Sequence, residues 1–259
     1  MMDTGKWAEI DLDTAGFAYP GAALKKAWTS LHAGDLEPWP DDEDIIEGWR
    51  AFHAGDFAAA VDAAEEAGDA AHTLANKAAG IYADYLEEDD AVKQAIYQAG
   101  IERSERAIAA FPTDPNAHYF HAYNLGRYSQ CISVAKALSQ GLGGKIKASL
   151  ERTLELAPKH GEAQTAMGLY HAEIIAKVGK LVGSMTYGAS ADKAIEYFEE
   201  ALRLSDAPIT WIEYGNGLYL LYGDKKLDES NGAYARAADK KPIDAMQALD
   251  VRFASESLP

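Results

Sequence analysis

The residues that could perform chemistry are a few histidines and carboxylates, and their spacing completes no catalytic pattern. His118 and His121 lie three residues apart on one helical face, a spacing that two metal ligands can use. No third ligand follows at a matching local spacing, so a pair of structural histidines explains the two positions better. An enzymatic role would require these histidines to meet His171 and Glu173 in space, and only the fold can bring them together.

Other motifs of enzymes and metal sites are incomplete. The glycine-rich segment at 141–145 superficially resembles a phosphate-binding loop, but it lacks the leading glycine and the Ser or Thr after the lysine. Cys131 is the only cysteine, so cysteine-rich metal sites are excluded. The acidic runs at 41–44 and 87–90 lack the spacing of a calcium loop and indicate a helix start and a loop. We expect no enzyme activity, no cofactor and no bound metal.

The composition favours helices and excludes some partners. The chain has 259 residues, and 49 alanines stand against 30 Val, Ile and Thr residues, which predicts an all-α protein. Its 24 basic and 41 acidic side chains give a net charge of −17. Such a chain repels nucleic-acid phosphates and anionic lipids, and the lysines are scattered along the sequence, so we expect no nucleic-acid partner.

Residues 1–16 do not show the pattern of a targeting signal. Residues 1–16 lack a basic start followed by an apolar run, which predicts a cytoplasmic protein, with a periplasmic location as the alternative if a signal sequence was removed. The apolar stretch at 174–185 is interrupted by lysines and glycines and is too short for a bilayer. We therefore expect a soluble protein with no membrane span.

One phrase recurs along the chain and indicates a repeat protein. It reads ERAIAAFPTDPNAH from Glu105, ERTLELAPKHGEAQ from Glu151 and EEALRLSDAPITWI from Glu199, and a degenerate copy begins at Ala235. The copies are 46, 48 and 36 residues apart. Helical patterning with a period of this size predicts stacked helix pairs.

The units fit the tetratricopeptide (TPR) pattern, in which small residues stand where two helices approach closely. Gly48 and Ala60 take such positions in the first unit, Ala122 in the third and Gly168 in the fourth. The sequence thus predicts a right-handed superhelix of about five TPR-like helix pairs. We assign residues 1–40 to an N-terminal cap and residues 41–259 to the repeats, within a single domain.

Two units are too long, and the cap contains a helical pattern. Residues 127–145 and 173–191 each carry about 12 to 14 extra residues, which we expect to lengthen the first helix of each unit by roughly three turns. Their apolar side chains would pack on each other or form a homo-oligomer contact. In the cap, a helix over residues 20–33 would bury Leu24, Trp28 and Leu31 and seal the first repeat.

Parts of the repeat region and of the cap resemble a known protein family. The stretch at 146–242, with MGLYHAEIIAKVGKLVGSMTYGASADKAIEYFEEALRL at its centre, resembles the helical-repeat domain of the regulator of microtubule dynamics family and its bacterial relatives. The segments AWTSLHAGDLEPWP and NLGRY resemble the same bacterial group. A weaker similarity is to the periplasmic TPR subunits that accompany TRAP-type solute transporters. The resemblance implies an interaction or ligand-binding module; the microtubule role belongs to eukaryotic members with added targeting segments.

The helical register predicts a binding surface on the concave side of the superhelix. The first helix of each pair would present aromatic and apolar residues there, and aromatic side chains give large contact areas at low entropic cost. The alternative is that the same side chains fill the core of a tightly wound solenoid. The predicted groove residues are Trp49, Phe52, His53, Tyr119, Tyr123, Arg127, Leu169 and Glu173.

Two functions follow from this surface. The first is a non-enzymatic TPR scaffold that holds a peptide or protein partner in its groove. The second is an apolar pocket or pore for a small hydrophobic ligand, as an accessory component of a TRAP-type solute transport system. A chaperone-tail receptor is disfavoured, because Tyr119 and Tyr123 stand where that clamp requires Lys and Asn.

Overall fold

The computed structural model describes residues 4–259, and in that range the chain is helical without a β-strand. None of the helices in this range is long and apolar enough to cross a membrane. The α-helices are α1 (Ala23–Leu31), α2 (Glu43–Ala54), α3 (Phe57–Ala67), α4 (His72–Tyr85), α5 (Asp90–Ala110), α6 (Pro115–Gln130), α7 (Val134–Ser139), α8 (Leu142–Leu156), α9 (Gly161–Val178), α10 (Lys180–Val182), α11 (Ala191–Leu204), α12 (Pro208–Tyr222), α13 (Leu227–Ala238) and α14 (Ala245–Glu256).

The helices pack in sequential pairs, which confirms the predicted all-α superhelix of about five TPR-like units. The pairs are α2–α3, α4–α5, α6–α8, α9–α11 and α12–α13, and α14 follows as a final helix. Aspartates start several helices: the carboxylates of Asp42, Asp89 and Asp114 accept hydrogen bonds from the first free backbone N–H groups of α2, α5 and α6. The acidic segments at 41–44 and 87–90 are therefore a helix start and the end of a loop.

Small residues allow the close helix contacts that the repeat pattern requires. A Cβ atom at Gly48 would lie 2.7 Å from Cδ2 of Leu74 in α4, and one at Gly168 would lie 2.9 Å from the ring of Phe198 in α11. Ala60, Ala107 and Ala122 are also buried. Alanine richness thus serves helix packing as well as helix propensity.

The two long units do not contain the elongated helices that the sequence predicted. α6 ends at Gln130, and its insert folds into the short helix α7, which Ser133 caps at its start. α9 ends at Val178, where Gly179 has a φ of 82°, and α10 with a π-turn completes the second insert. Because the helices end at these positions, the first insert packs α7 against α8, and the second insert turns back onto α9.

The predicted cap helix is present as α1, and Leu24, Trp28 and Leu31 are buried. The segment after it, residues 32–40, runs along the inner side of the superhelix rather than over its end. The backbone N–H of Glu162 in α9 donates to the carbonyl of Gly34 at 3.0 Å, and the Asn116 amide in α6 donates to the Glu37 carboxyl at 2.6 Å. The cap therefore connects to the third and fourth units.

The final helix returns to the beginning of the chain. α14 packs against α2 as well as α12 and α13, and Asp244 at its start lies 2.9 Å from Nδ1 of His53. The Tyr19 hydroxyl donates to the carbonyl of Ile243 at 2.6 Å. The superhelix thus closes on itself, and its inner side becomes an interior.

Candidate functional site

The predicted groove residues of the first unit are buried and not available as a binding surface. Trp49, Phe52 and His53 are at most 1% exposed, because α1 and α14 cover the inner face of α2. The Trp28 ring of α1 packs edge-on against Trp49, with ring centroids 5.7 Å apart. These three side chains therefore belong to the core, which is the alternative that the sequence left open, and not to an accessible groove.

The other five predicted residues line one cavity. Tyr119, Tyr123 and Arg127 of α6 and Leu169 and Glu173 of α9 all border it, and its volume is about 210 Å³. The cavity extends along α9 from Glu162 to Val178, which at a rise of about 1.5 Å per residue is a length of roughly 24 Å. We call it the central cavity.

One wall of the central cavity is apolar. It is formed by α7 and α8, with Tyr187 of the second insert beside them. Val134 and Leu138 of α7 line the cavity and are 46% exposed, so the cavity opens to solvent beside α7. The apolar side chains of this wall are Val134, Ala137, Leu138, Leu142, Ile146 and Leu150.

A second, charged wall carries groups from α4, α6, α12 and α14. The Arg127 guanidinium lies 3.1 Å from Oδ2 of Asp84 and 3.7 Å from Oε1 of Glu213. The Tyr123 hydroxyl donates to the same Asp84 oxygen at 2.7 Å, and its ring lies under the guanidinium at 5.5 Å. Burial raises the pKa of Glu213 despite the nearby Arg127. This wall can orient a polar group.

Besides the ion pairs of Arg127, a further ion pair lies at the start of α9. Lys77 of α4 is 5% exposed, and its ammonium donates to Oε1 of Glu162 at 2.8 Å and to the fully buried Asp35 of the cap. Despite burial of Asp35, the Lys77 ammonium and the neighbouring His32 hold its carboxyl pKa well below the usual range. The cap segment is thus fastened to the cavity wall by charge.

The histidines of the enzymatic alternative have separate structural partners. His118 Nε2 donates to the carbonyl of Pro112 at 3.0 Å, and His121 Nδ1 lies 2.8 Å from Oγ of Ser149. The His171 ring stacks on Tyr197, and burial lowers its pKa to about 4. The described residues contain no group of three or more His, Cys, Asp or Glu side chains that could hold a metal ion.

Sequence reasoning missed the charged wall. Lys77 stands in the alanine-rich run of α4, and Asp250 stands between apolar residues of α14. A single charged residue on an otherwise apolar helix face is the signal that could have identified both positions. Their partners are 42 to 165 residues away in sequence, so local patterns could not pair them.

Comparisons with known proteins agree with this fold. The model of the family described as regulator of microtubule dynamics protein 1-3 matches residues 53–220, more than half of the chain. The crystal structure of a thermophilic TPR protein from Thermus thermophilus is similar with a TM-score of 0.58 and 18% sequence identity, covering 83% of this chain and 98% of that one. No curated protein matches the sequence. The structural similarity supports a TPR fold.

Proposed function

We propose, from the premise that this chain belongs to the regulator of microtubule dynamics protein 1-3 family, that it is a non-enzymatic scaffold whose central cavity holds part of a peptide or protein partner. The observation that supports this most is that residues of two adjacent helices, α6 and α9, line one cavity that opens to solvent. TPR-like helical repeats are typical interaction modules. The aromatic and apolar side chains of the cavity offer contact area, and its charged groups can orient a bound partner.

The size of the cavity limits what it can hold. An apolar cavity of about 150 Å³ accommodates benzene, so 210 Å³ accommodates one or two side chains and not a whole helix. A partner would therefore place an anchoring side chain in the cavity while its remaining surface rests on α7 and its surroundings. Such buried anchors carry most of the binding energy in many interfaces.

Gly126 offers a way to test the cavity as the binding site. It lies on α6 in the cavity wall, and a Cβ at this position would meet no atom within 4 Å. Gly126→Phe should fill the cavity without forcing the helices apart. In selections from a random peptide library, peptides that bind the unmodified protein should lose about tenfold or more of their affinity for this variant.

Two matched variants serve as controls for Gly126→Phe. Gly126→Ala leaves the cavity open, and Gly144→Phe places the same ring on an exposed position of α8 outside the cavity lining. Both should retain the selected peptides. If the selected peptides bind Gly126→Phe as tightly as the unmodified protein, the cavity is not the peptide site.

The apolar wall favours a second candidate, binding of a small hydrophobic ligand. Leu142, Ile146 and Leu150 give a continuous apolar surface next to the aromatic rings of α6. Native mass spectrometry of the purified protein should then show a co-purifying molecule that Gly126→Phe loses and Gly144→Phe keeps. The link to a TRAP-type transport system stays a prediction, as does the cytoplasmic or periplasmic location.

A further inference from the structure

The charged groups of the central cavity are not balanced. Five carboxylates line it, Asp84, Glu162, Glu173, Glu213 and Asp250, against three cations, Lys77, Arg127 and Lys177. Asp35, which pairs with Lys77, adds a further carboxylate next to this lining. The imbalance matters because the cavity lies between packed helices, where water screens charges less than at the surface.

Each of the three cations already has a carboxylate partner. Lys77 pairs with Glu162 at 2.8 Å, and Lys177 bonds to Glu173 within its own helix. Arg127 lies between Asp84 and Glu213, as described above. None of these cations is therefore left to attract an anionic ligand into the cavity.

Asp250 is the carboxylate of the cavity lining that no cation balances. It is 1% exposed, and Oδ1 accepts a hydrogen bond from the Tyr85 hydroxyl of α4. Oδ2 has no hydrogen-bond partner within residues 4–259. The ionisable groups that influence it from α9, α12 and the start of α14, which are Glu162, Glu213 and Asp244, are all acidic. Burial and these neighbours raise the pKa of Asp250 to about 8.

We propose that the central cavity binds an ammonium group carried on an apolar stem, with Asp250 as the partner of the positive charge. The inference rests on the proposed function, since it specifies the chemistry of what the cavity holds. The stem would lie along the apolar α7–α8 wall, and the ammonium group would face Asp250 in the charged wall. The aromatic rings of Tyr85 and Tyr119 line that region and favour a cation over an anion.

This chemistry has two sources, a free long-chain amine or a lysine side chain of a partner peptide. Both place a positive charge at the end of a chain of methylene groups. Binding would turn Asp250 from its neutral form at pH 7 into a carboxylate, because a neighbouring positive charge lowers the pKa of a carboxyl group. One proton should therefore be released as the ligand binds.

The test compares three probes of equal length, octylamine, octanol and octanoate, by isothermal titration calorimetry on the full chain. Octylamine should bind about tenfold more tightly than the other two. Asp250→Asn should remove most of that preference and leave octanol binding unchanged. Asp228→Asn, on the exposed side of α13, makes the same charge change away from the cavity and should alter nothing.

Proton release provides a measurement that needs no variant. Titrations of octylamine in two buffers of different ionisation enthalpy at pH 7 should show release of about one proton per amine bound. As the pH rises toward 8, the affinity for octylamine should increase by up to about tenfold per pH unit, because Asp250 loses its proton more readily. Above pH 8 the affinity should level off, until the amine itself loses its proton near pH 10. Binding without proton release would overturn the role of Asp250.

A pair of short peptides distinguishes the two sources. N-acetyl-leucyl-lysyl-leucine amide is compared with the same peptide carrying norleucine in place of lysine. A preference for the lysine peptide that Asp250→Asn abolishes supports the proposal with a peptide source, and octylamine binding alone supports it with a free amine. Equal binding of all three octyl probes overturns the ammonium inference but keeps the cavity as a site. No binding of any probe or peptide overturns both.

Discussion

The inner face of α2 and the inner faces of α6 and α9 have the same position in the repeat register but different fates. Trp49, Phe52 and His53 on α2 are enclosed by α1 and α14, whereas the corresponding side of α6 and α9 borders an open cavity. The register correctly identifies which side chains point inward. Whether an inward side chain is core or site depends on what other segments cover it, and those segments come from distant parts of the sequence.

The covering segments explain the difference. The cap occupies the interior beside the first unit and reaches as far as Gly34 and Glu37, which bond to α9 and α6. Beyond that point the inserts of the third and fourth units form one side of the space instead of filling it. The interior thus has an enclosed half and an open half.

The largest effect that tests this division is Trp49→Ala. Removing a fully buried indole should lower the free energy of unfolding by about 3–5 kcal/mol. Leu169→Ala in the cavity wall should cost about 1 kcal/mol, because Leu169 is only partly buried. Urea denaturation measures both values. Equal losses for the two variants would contradict the distinction between a filled and an open half.

His160 lies at the boundary between the two halves and should make stability depend on pH. Its Nε2 lies 2.9 Å from Oδ1 of Asn116, and its Nδ1 accepts from the Ala163 N–H, so the ring must be neutral. Burial lowers its pKa to about 4, below the usual value of 6.5. The unfolded chain therefore binds the extra proton first, and this contribution to stability is lost as the pH falls from 6.5 to 4.

The size of the His160 contribution can be measured against a variant that does not titrate. Asn at position 160 keeps a helix-capping side chain. Between pH 7 and pH 4 the stability advantage of the unmodified protein over His160→Asn should decrease by about 3 kcal/mol. A constant difference across this range would show that His160 does not titrate with a lowered pKa.

The smallest effects are expected from two glycine substitutions. A Cβ at Gly217 of α12 would lie 2.3 Å from the Phe198 ring, so Gly217→Ala should destabilise the protein by about 1–3 kcal/mol through overpacking. Gly126→Ala points into the open cavity and should stabilise α6 by up to about 1 kcal/mol. Thermal unfolding of both variants compares a packed helix contact with the cavity wall.

The helix pairs could be predicted from the sequence because their signals are local. Asp42 caps a helix where the acidic run at 41–44 indicates a helix start, and Gly48 and Gly168 stand at close contacts. The shape of the inserts was predicted wrongly. A glycine such as Gly179 ends a helix only where the surrounding packing stabilises the turn, and that packing involves residues distant in sequence.

The candidate site was predictable only in part for the same reason. Five of the eight proposed side chains lie on one cavity, since α6 and α9 are adjacent units of the repeat. For the three on α2, nothing in the local sequence shows that α14 returns to cover them. The interaction of Asp250 with Tyr85, 165 residues away in the sequence, depends on the same return.

The closure of the superhelix also has a consequence for how the chain is made. In an ordinary linear repeat array each unit contacts only its neighbours, so units can fold in the order of synthesis. Here His53 meets Asp244 across 191 residues, and Tyr19 meets Ile243 across 224. These two contacts can form only after residues 243 and 244 have left the ribosome. Contacts between residues so distant in sequence slow folding in other architectures.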